Sequence, residues 1–167
     1  MKKNIFYLLL FPILFFSCKK NDSDLLIFDQ QAVKEDSVIR VYLKDNKISA
    51  NKTANGAYYY FIKEGKGNLV SIGDSLNVQY TGNVLYSKVF DSSYFRDKAY
   101  PVRIGVTSVI AGWTEALQLM REGSRAVFIM PSRLGYGTSG SRSGNVQIIP
   151  PNAILQFDLE ITYLKRQ

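Results

Sequence analysis

Side chains suited to covalent or metal chemistry are scarce in this chain. Its 167 residues contain no histidine and one cysteine, Cys18. Ser-His-Asp hydrolysis, histidine general-base catalysis, His-ligated zinc and a papain-like Cys-His pair are therefore excluded together. What remains is a series of short fragments in which aromatic residues surround one carboxylate. Val78-Gln79-Tyr80-Thr81-Gly82 is followed by Phe90-Asp91-Ser92-Ser93, and then by Val109-Ile110-Ala111-Gly112-Trp113. Leu134-Gly135-Tyr136-Gly137, Ile148-Ile149-Pro150-Pro151-Asn152 and Leu155-Gln156-Phe157-Asp158 come next. Taken singly, each has a plain structural meaning. Trp113 alone reads as core, and Tyr80, Phe90 and Phe157 as ordinary strand residues. Asp91-Ser92-Ser93 alone reads as a turn, and Gly112 and Gly137 as turn glycines. The joint occurrence in this order outweighs the separate readings.

In that order and at those spacings, the fragments resemble the FK506-binding-protein (FKBP-type) family of peptidyl-prolyl cis-trans isomerases. The similarity covers roughly Gly56 to Leu164, and from Asp91 through Trp113 its register to the common single-domain members needs no gap. The resemblance implies rotation about X–Pro bonds. The uncatalysed barrier is ~18–20 kcal/mol, with turnover in tens to hundreds of seconds. That barrier is amide resonance, whose charge separation water stabilises in the planar state. A dry apolar pocket withdraws that advantage and binds the twisted amide in preference. The implied reaction needs no nucleophile, base, metal or cofactor.

The resemblance also assigns roles. Trp113 is implied as the pocket floor beneath the proline ring, with Tyr80, Phe90 and Phe157 as aromatic walls. Tyr100 stands before Pro101 where relatives often have phenylalanine, and reads as a wall with an added hydroxyl. Val109 and Ile110 are implied at the rim, with the Ile110 N–H donating to one substrate carbonyl and the Tyr136 phenol to another. Asp91 is implied to face the pocket and to hold the twisted amide electrostatically, with Arg96 nearby. Ile148 and Ile149 complete the expected substrate-binding set. FK506- or rapamycin-type macrolides are implied as ligands of the same pocket.

Two departures from the family pattern stand out. The loop between Tyr136 and Ile148 is longer than in compact members and lacks the histidine that relatives often carry there, which bears on sequence preference around the proline. Asn83 to Val89 replaces the common Asp-Gly turn, and reads as remote from the pocket and neutral.

The elements that must position these residues are legible in the patterning. Ala57 to Ile62 is aromatic and β-branched, as a strand should be. Ser75 to Thr81 alternates Leu76, Val78 and Tyr80 against Ser75, Asn77 and Gln79, the pattern of a half-buried strand. Pro101–Ile104, Ser124–Met130 and Ala153–Tyr163 read as further strands. Trp113, Ala116, Leu117 and Met120 fall at helical spacing, with Gly123 as the helix stop. Ser132 to Ile149 reads as one long Gly/Ser-rich loop. The expected fold is α+β, an antiparallel β-sheet wrapped around one short α-helix that covers its single dry face. Residues 25–45 carry Leu26, Val33, Val38, Ile39, Tyr42 and Leu43 at loose helical spacing, and predict a short helical N-terminal extension, either one short helix or a helical hairpin. Its plainer reading is a spacer docked on the domain, and the alternative is a dimerisation arm. Asn46 to Gly56 reads as a turn-rich linker.

The N-terminus reads as an address. Lys2-Lys3 precedes an apolar run from Ile5 to Phe16, well short of the ~20 residues that cross a bilayer. Cys18 follows directly, and a polar tether begins at Lys19. This looks like a bacterial lipoprotein signal cut before Cys18, although Phe15 stands where the usual lipobox has leucine. Acyl chains contribute ~0.8 kcal/mol per buried methylene, so two or three anchor firmly. The expected organisation is a signal peptide at 1–17, a lipid-anchored tether and helical extension at 18–56, and an isomerase domain at 57–167. Localisation at the bacterial cell envelope follows. The formal charge of +7 includes Lys2 and Lys3, and the other basic residues are scattered without an aromatic-interleaved patch, against nucleic-acid binding.

Three functions compete at this level. The first is an active isomerase for exported, proline-containing protein clients. The second is a non-catalytic module that binds proline-containing segments as a chaperone or scaffold, and the third is a part in surface machinery such as gliding motility. The complete pocket set favours the first.

Overall fold

The computed structural model describes residues 22–167, with side chains from Gln30 onward. The expected signal peptide, Cys18 and the start of the tether lie outside the described residues. The described residues open with helix α1 (Asp22–Asp45), one continuous helix rather than a hairpin. Its buried stripe is narrow: Glu35, Ile39 and Leu43, four residues apart, all face inward. Val33 and Val38, expected on the apolar face, are exposed. Lys44 lies in the last turn, where a cation complements the helix dipole.

The expected linker contains a short strand, β1 (Asn51–Lys52), which pairs with β2 (Tyr58–Lys63). β3 (Ser75–Val84) follows, then β4 (Val89–Ser92), a 3-10 turn at Ser93–Arg96, and β5 (Tyr100–Arg103). Helix α2 (Ala111–Gln118) precedes β6 (Arg125–Met130). A second 3-10 turn (Ser132–Leu134) leads to the hairpin of β7 (Ser141–Ser143) and β8 (Val146–Ile149), and the described chain closes with β9 (Leu155–Lys165). Seven strands form one antiparallel sheet in the order β1-β2-β6-β9-β3-β4, with β5 also paired to β3.

The alternation read in β3 and β9 is realised. Leu76, Val78 and Tyr80 are buried on β3, and Leu155, Phe157, Leu159 and Ile161 on β9. Helix α2 lays Trp113, Ala116 and Leu117 on that face, with Met120 just beyond it. The helix ends at Gln118 with Leu119 as its cap, so Gly123 is not its stop. Gly123 instead takes φ 78 in the turn leading to β6.

The sheet has two covered faces rather than one. A separate buried cluster joins Ile39 and Leu43 of α1 to Tyr58, Leu85, Ile129 and Ile154. β6 therefore reads as a continuous apolar run, Ala126 to Met130, because both its faces are buried. The turn after β3 contributes to this second cluster. Leu85 is buried there, and the Tyr86 ring meets Tyr42 of α1 edge-on at 5.3 Å. The Asn83–Val89 segment is thus a docking point for α1.

The expected long loop is also more regular than its composition suggests. Its hairpin turns at Gly144-Asn145, with Gly144 at φ 56, and pairs Ser143 with Val146. Glycine supplies the left-handed backbone at no steric cost.

Candidate active site

The pocket forms where one edge of β3 changes partners. β5 pairs with Ser75–Val78 and β4 with Thr81–Asn83, which leaves a gap in that edge beside Tyr80. Two serines fill it. The Tyr80 N–H donates to Ser93 Oγ at 2.9 Å, and Ser92 Oγ donates to the Tyr80 carbonyl at 3.0 Å. Ser92 Oγ also accepts from the Tyr94 N–H at 3.2 Å and so caps the 3-10 turn. Asp91-Ser92-Ser93 is therefore the end of a strand whose hydroxyls replace missing ladder bonds, and this fixes where Asp91 points.

The pocket encloses about 420 Å³. Tyr80, Phe90, Asp91, Tyr100, Val109, Ile110, Trp113, Tyr136 and Phe157 line it, together with Ser108, which sequence reasoning did not single out. Trp113 is the hub. The ring of Tyr80 meets it edge-on at 4.9 Å, Phe157 at 5.5 Å and Tyr100 at 6.1 Å. Phe90 packs edge-on against Phe157 at 5.7 Å. Such edge-to-face pairs add about 0.5–1.5 kcal/mol each beyond area burial.

Gly82 makes this packing possible. A Cβ there would lie 2.5 Å from Phe157 Cε1 and 2.9 Å from Phe90 Cζ. Gly112 serves α2 in the same way, since a Cβ there would lie 2.4 Å from Met130 Sδ.

The polar side of the pocket is a three-residue cluster. The Tyr80 hydroxyl donates to Asp91 Oδ2 at 2.5 Å, and Arg96 Nη1 binds Asp91 Oδ1 at 2.8 Å. Arg96 Nη2 donates to the Tyr80 hydroxyl oxygen at 2.5 Å. Burial alone would raise the Asp91 pKa, but the hydrogen bonds from Arg96 and Tyr80 outweigh it and hold the carboxyl below its usual value. Burial, reinforced by the hydrogen bond to Asp91, pushes the Tyr80 phenol up to about 12. Burial likewise raises Tyr136, with the nearby Asp91 charge adding to it.

Two donors stand at the rim. Ile110 precedes α2, and its carbonyl accepts from the Trp113 N–H at 3.0 Å. Its own N–H makes no hydrogen bond among the described residues. The Tyr136 hydroxyl likewise has no partner among them.

Three expected residues are placed differently. Arg96 does not line the pocket but stands behind Asp91 and Tyr80 as their partner. Ile149 is buried in the main core, because its hairpin strand folds inward there. Ile148 points outward and is 40 % exposed, away from the lining set. Alternation along β8 forbids both from facing one pocket.

Comparison with known proteins matches this geometry. Residues 67–162 match the family model described as FKBP-type peptidyl-prolyl cis-trans isomerase. A probable FKBP-type isomerase of Haemophilus influenzae is 36 % identical over 132 residues, covering 79 % of this chain and 52 % of that protein. The FKBP-type 22 kDa isomerase of Escherichia coli is 37 % identical, covering 72 % of this chain and 56 % of the relative. The chain spans about half the length of the curated relatives it matches. Among solved structures, FkpA from Escherichia coli aligns with a TM-score of 0.66 at 29 % identity, covering 86 % of this chain and 65 % of that one. A peptidyl-prolyl cis-trans isomerase from Pseudomonas syringae aligns at 0.64 with 27 % identity, covering 82 % and 96 %. The family match extends over more than half the chain and takes in the Trp113 hub, the Tyr80–Asp91–Arg96 cluster and Phe157, and on that basis this protein belongs to the FKBP-type peptidyl-prolyl cis-trans isomerase family.

Proposed function

We propose that this protein catalyses rotation of X–Pro bonds in exported protein clients at the bacterial envelope, where lipid on Cys18 anchors it. The observation that carries the catalytic part is a pocket floored by Trp113 and walled by aromatic rings, with one carboxylate fixed at its edge.

A proline ring fits the space above Trp113. Entry strips water from the amide and removes the solvation that favours the planar, charge-separated state. As the C–N bond turns, the nitrogen loses conjugation and the carbonyl becomes ketone-like. The Ile110 N–H and the Tyr136 hydroxyl are free to donate to the carbonyls on either side of the bond. Asp91 presents a fixed negative charge that need not reorganise as the amide twists, because Tyr80 and Arg96 already hold both its oxygens. Catalysis is then preferential binding of the twisted amide.

The lipid anchor rests on the Lys2-Lys3 and apolar leader that ends at Cys18. Among the described residues no helix is long and apolar enough to cross a membrane.

A protease-free isomerisation assay on a labelled X–Pro peptide tests the activity. Turnover well above the uncatalysed rate, blocked by a macrolide of the FK506 type, is expected. A folded protein that binds proline peptides without turnover would favour the binding-module reading. Cys18→Ser should release the protein from membranes while leaving turnover unchanged, and membrane retention of that variant would refute the anchor.

A further inference from the structure

Glu35 is a carboxylate that the pocket does not use, yet it is 3 % exposed. It lies on α1, on the far side of the sheet from Trp113. A buried carboxylate is costly unless its oxygens are hydrogen-bonded. Here they are. Glu35 Oε2 accepts from the Ser132 N–H at 2.8 Å, and Oε1 accepts from Ser132 Oγ at 2.6 Å. Gln31, one turn earlier on α1, donates to the same Oε1 at 2.6 Å. Ser132 is itself buried.

The bond pattern continues from Ser132 toward the pocket. The Ser132 carbonyl accepts from the Gly135 N–H and from the Gly137 N–H, each at 2.9 Å. Those two residues flank Tyr136, whose ring lines the pocket. Leu134, between Ser132 and Tyr136, is buried in the main core and fixes the other side of the turn. The Gly140 N–H on the Tyr136 carbonyl and the Asn152 N–H on the Gly137 carbonyl also hold this turn, at 3.1 and 2.8 Å. On its amino side, however, both glycine N–H groups meet at Ser132, whose own N–H and hydroxyl are held by Glu35.

We infer that Glu35 is a positioning residue for the pocket, which acts through Ser132 to hold Tyr136 where its hydroxyl meets a bound carbonyl. The N-terminal helix is then part of the catalytic apparatus rather than a spacer. The kinetic part of this inference rests on the isomerase reading above, whereas the coupling of helix to loop is readable without substrate.

The test uses the full chain in detergent with Glu35→Ala, and with Ser132→Ala as a milder change that removes only the hydroxyl bond. In each variant, amide hydrogen exchange is compared at Gly135 and Gly137 and at the centre of β9. Faster exchange at the two glycines with β9 unchanged is expected for both variants, and larger for Glu35→Ala. Unchanged exchange at the glycines would overturn the inference, and so would uniformly faster exchange that includes β9. In the kinetic arm, Glu35→Ala should lower kcat/KM by about two- to tenfold, the scale of one neutral hydrogen bond. In a Tyr136→Phe background it should lower kcat/KM no further. An equal fall in both backgrounds would mean a merely structural role and would sink the proposal. If the parent chain shows no turnover, the isomerase reading fails, while the exchange arm still decides the coupling.

Discussion

Tyr80 and Asp91 sit on neighbouring strands and share a 2.5 Å hydrogen bond, and Arg96 reaches both from the turn that follows. The register makes this meeting possible. Gly82 pairs with Asp91 and Thr81 with Ser92, so Asp91 lies diagonally across from Tyr80. A carboxylate placed at the mouth of an aromatic pocket would otherwise turn toward water. The phenol and the guanidinium keep it ionised and aimed.

The first prediction concerns pH. The Asp91 pKa is depressed in the folded protein. Its contribution to stability is therefore present above the unfolded value of ~3.9, and is lost as pH falls through the lower folded value. Turnover is expected to stay flat from neutral pH down to about 5 and to fall only below the ordinary carboxylate range. Tyr80, at about 12, should add no alkaline limb in the accessible range. A pH–rate profile checks both ends, and a midpoint near neutrality would contradict the assignment.

Gly82→Ala should disturb the pocket from behind. The new methyl would overlap Phe157 and Phe90, and overpacking of this kind costs about 1–3 kcal/mol. Both Tm and kcat/KM should drop, although position 82 itself touches no substrate. An alanine variant with unaltered Tm would show that the two rings can move aside freely.

Tyr136→Phe tests how turnover is divided between hydrogen bonding and desolvation. The loss should be about tenfold or less, because one neutral hydrogen bond contributes ~0.5–1.5 kcal/mol. Steady-state kinetics on one peptide suffices. A thousandfold loss would make the phenol, rather than the dry pocket, the main source of rate.

The helix α1 interface can be probed by stability. Ile39 is fully buried between α1 and the sheet. Ile39→Ala should destabilise the protein by about 2–5 kcal/mol, read as a shift of the urea midpoint at unchanged slope. If α1 were a detached spacer, the midpoint would not move.

Much of the fold was legible because alternation and helical spacing are strong signals where one face alone is buried. Ser75–Thr81 and Trp113–Met120 are such segments. The signal weakened where burial was two-sided or where pairing was too short to alternate. β1 has two residues, and β7 and β8 lie among serines and glycines whose strand character comes only from each other. α1 misled on its face, since Val33 and Val38 are apolar yet exposed while Glu35 is charged yet buried. Most of the pocket lining came from the family pattern. Ile148 and Ile149 did not fit it, because alternation along the hairpin strand sends Ile149 into the core and Ile148 out to the surface. Glu35 left no trace in the pattern, because its partner Ser132 lies 97 residues away. No local rule connects residues at that distance.

The β3–β9 ladder has a consequence for how the protein is made. It runs from Ser75 opposite Lys165 to Val84 opposite Leu155, and β9 also pairs with β6. The strand at the middle of the sheet is thus the last described part of the chain to be synthesised. Nearly everything upstream must wait for it, and contacts between residues so far apart in sequence form slowly. Until the chain beyond Leu155 is free, Phe157 is missing and the Trp113 pocket has no wall on that side. Until β9 has been made, the upstream strands are therefore themselves an unfolded client, exposed to chaperones and proteases.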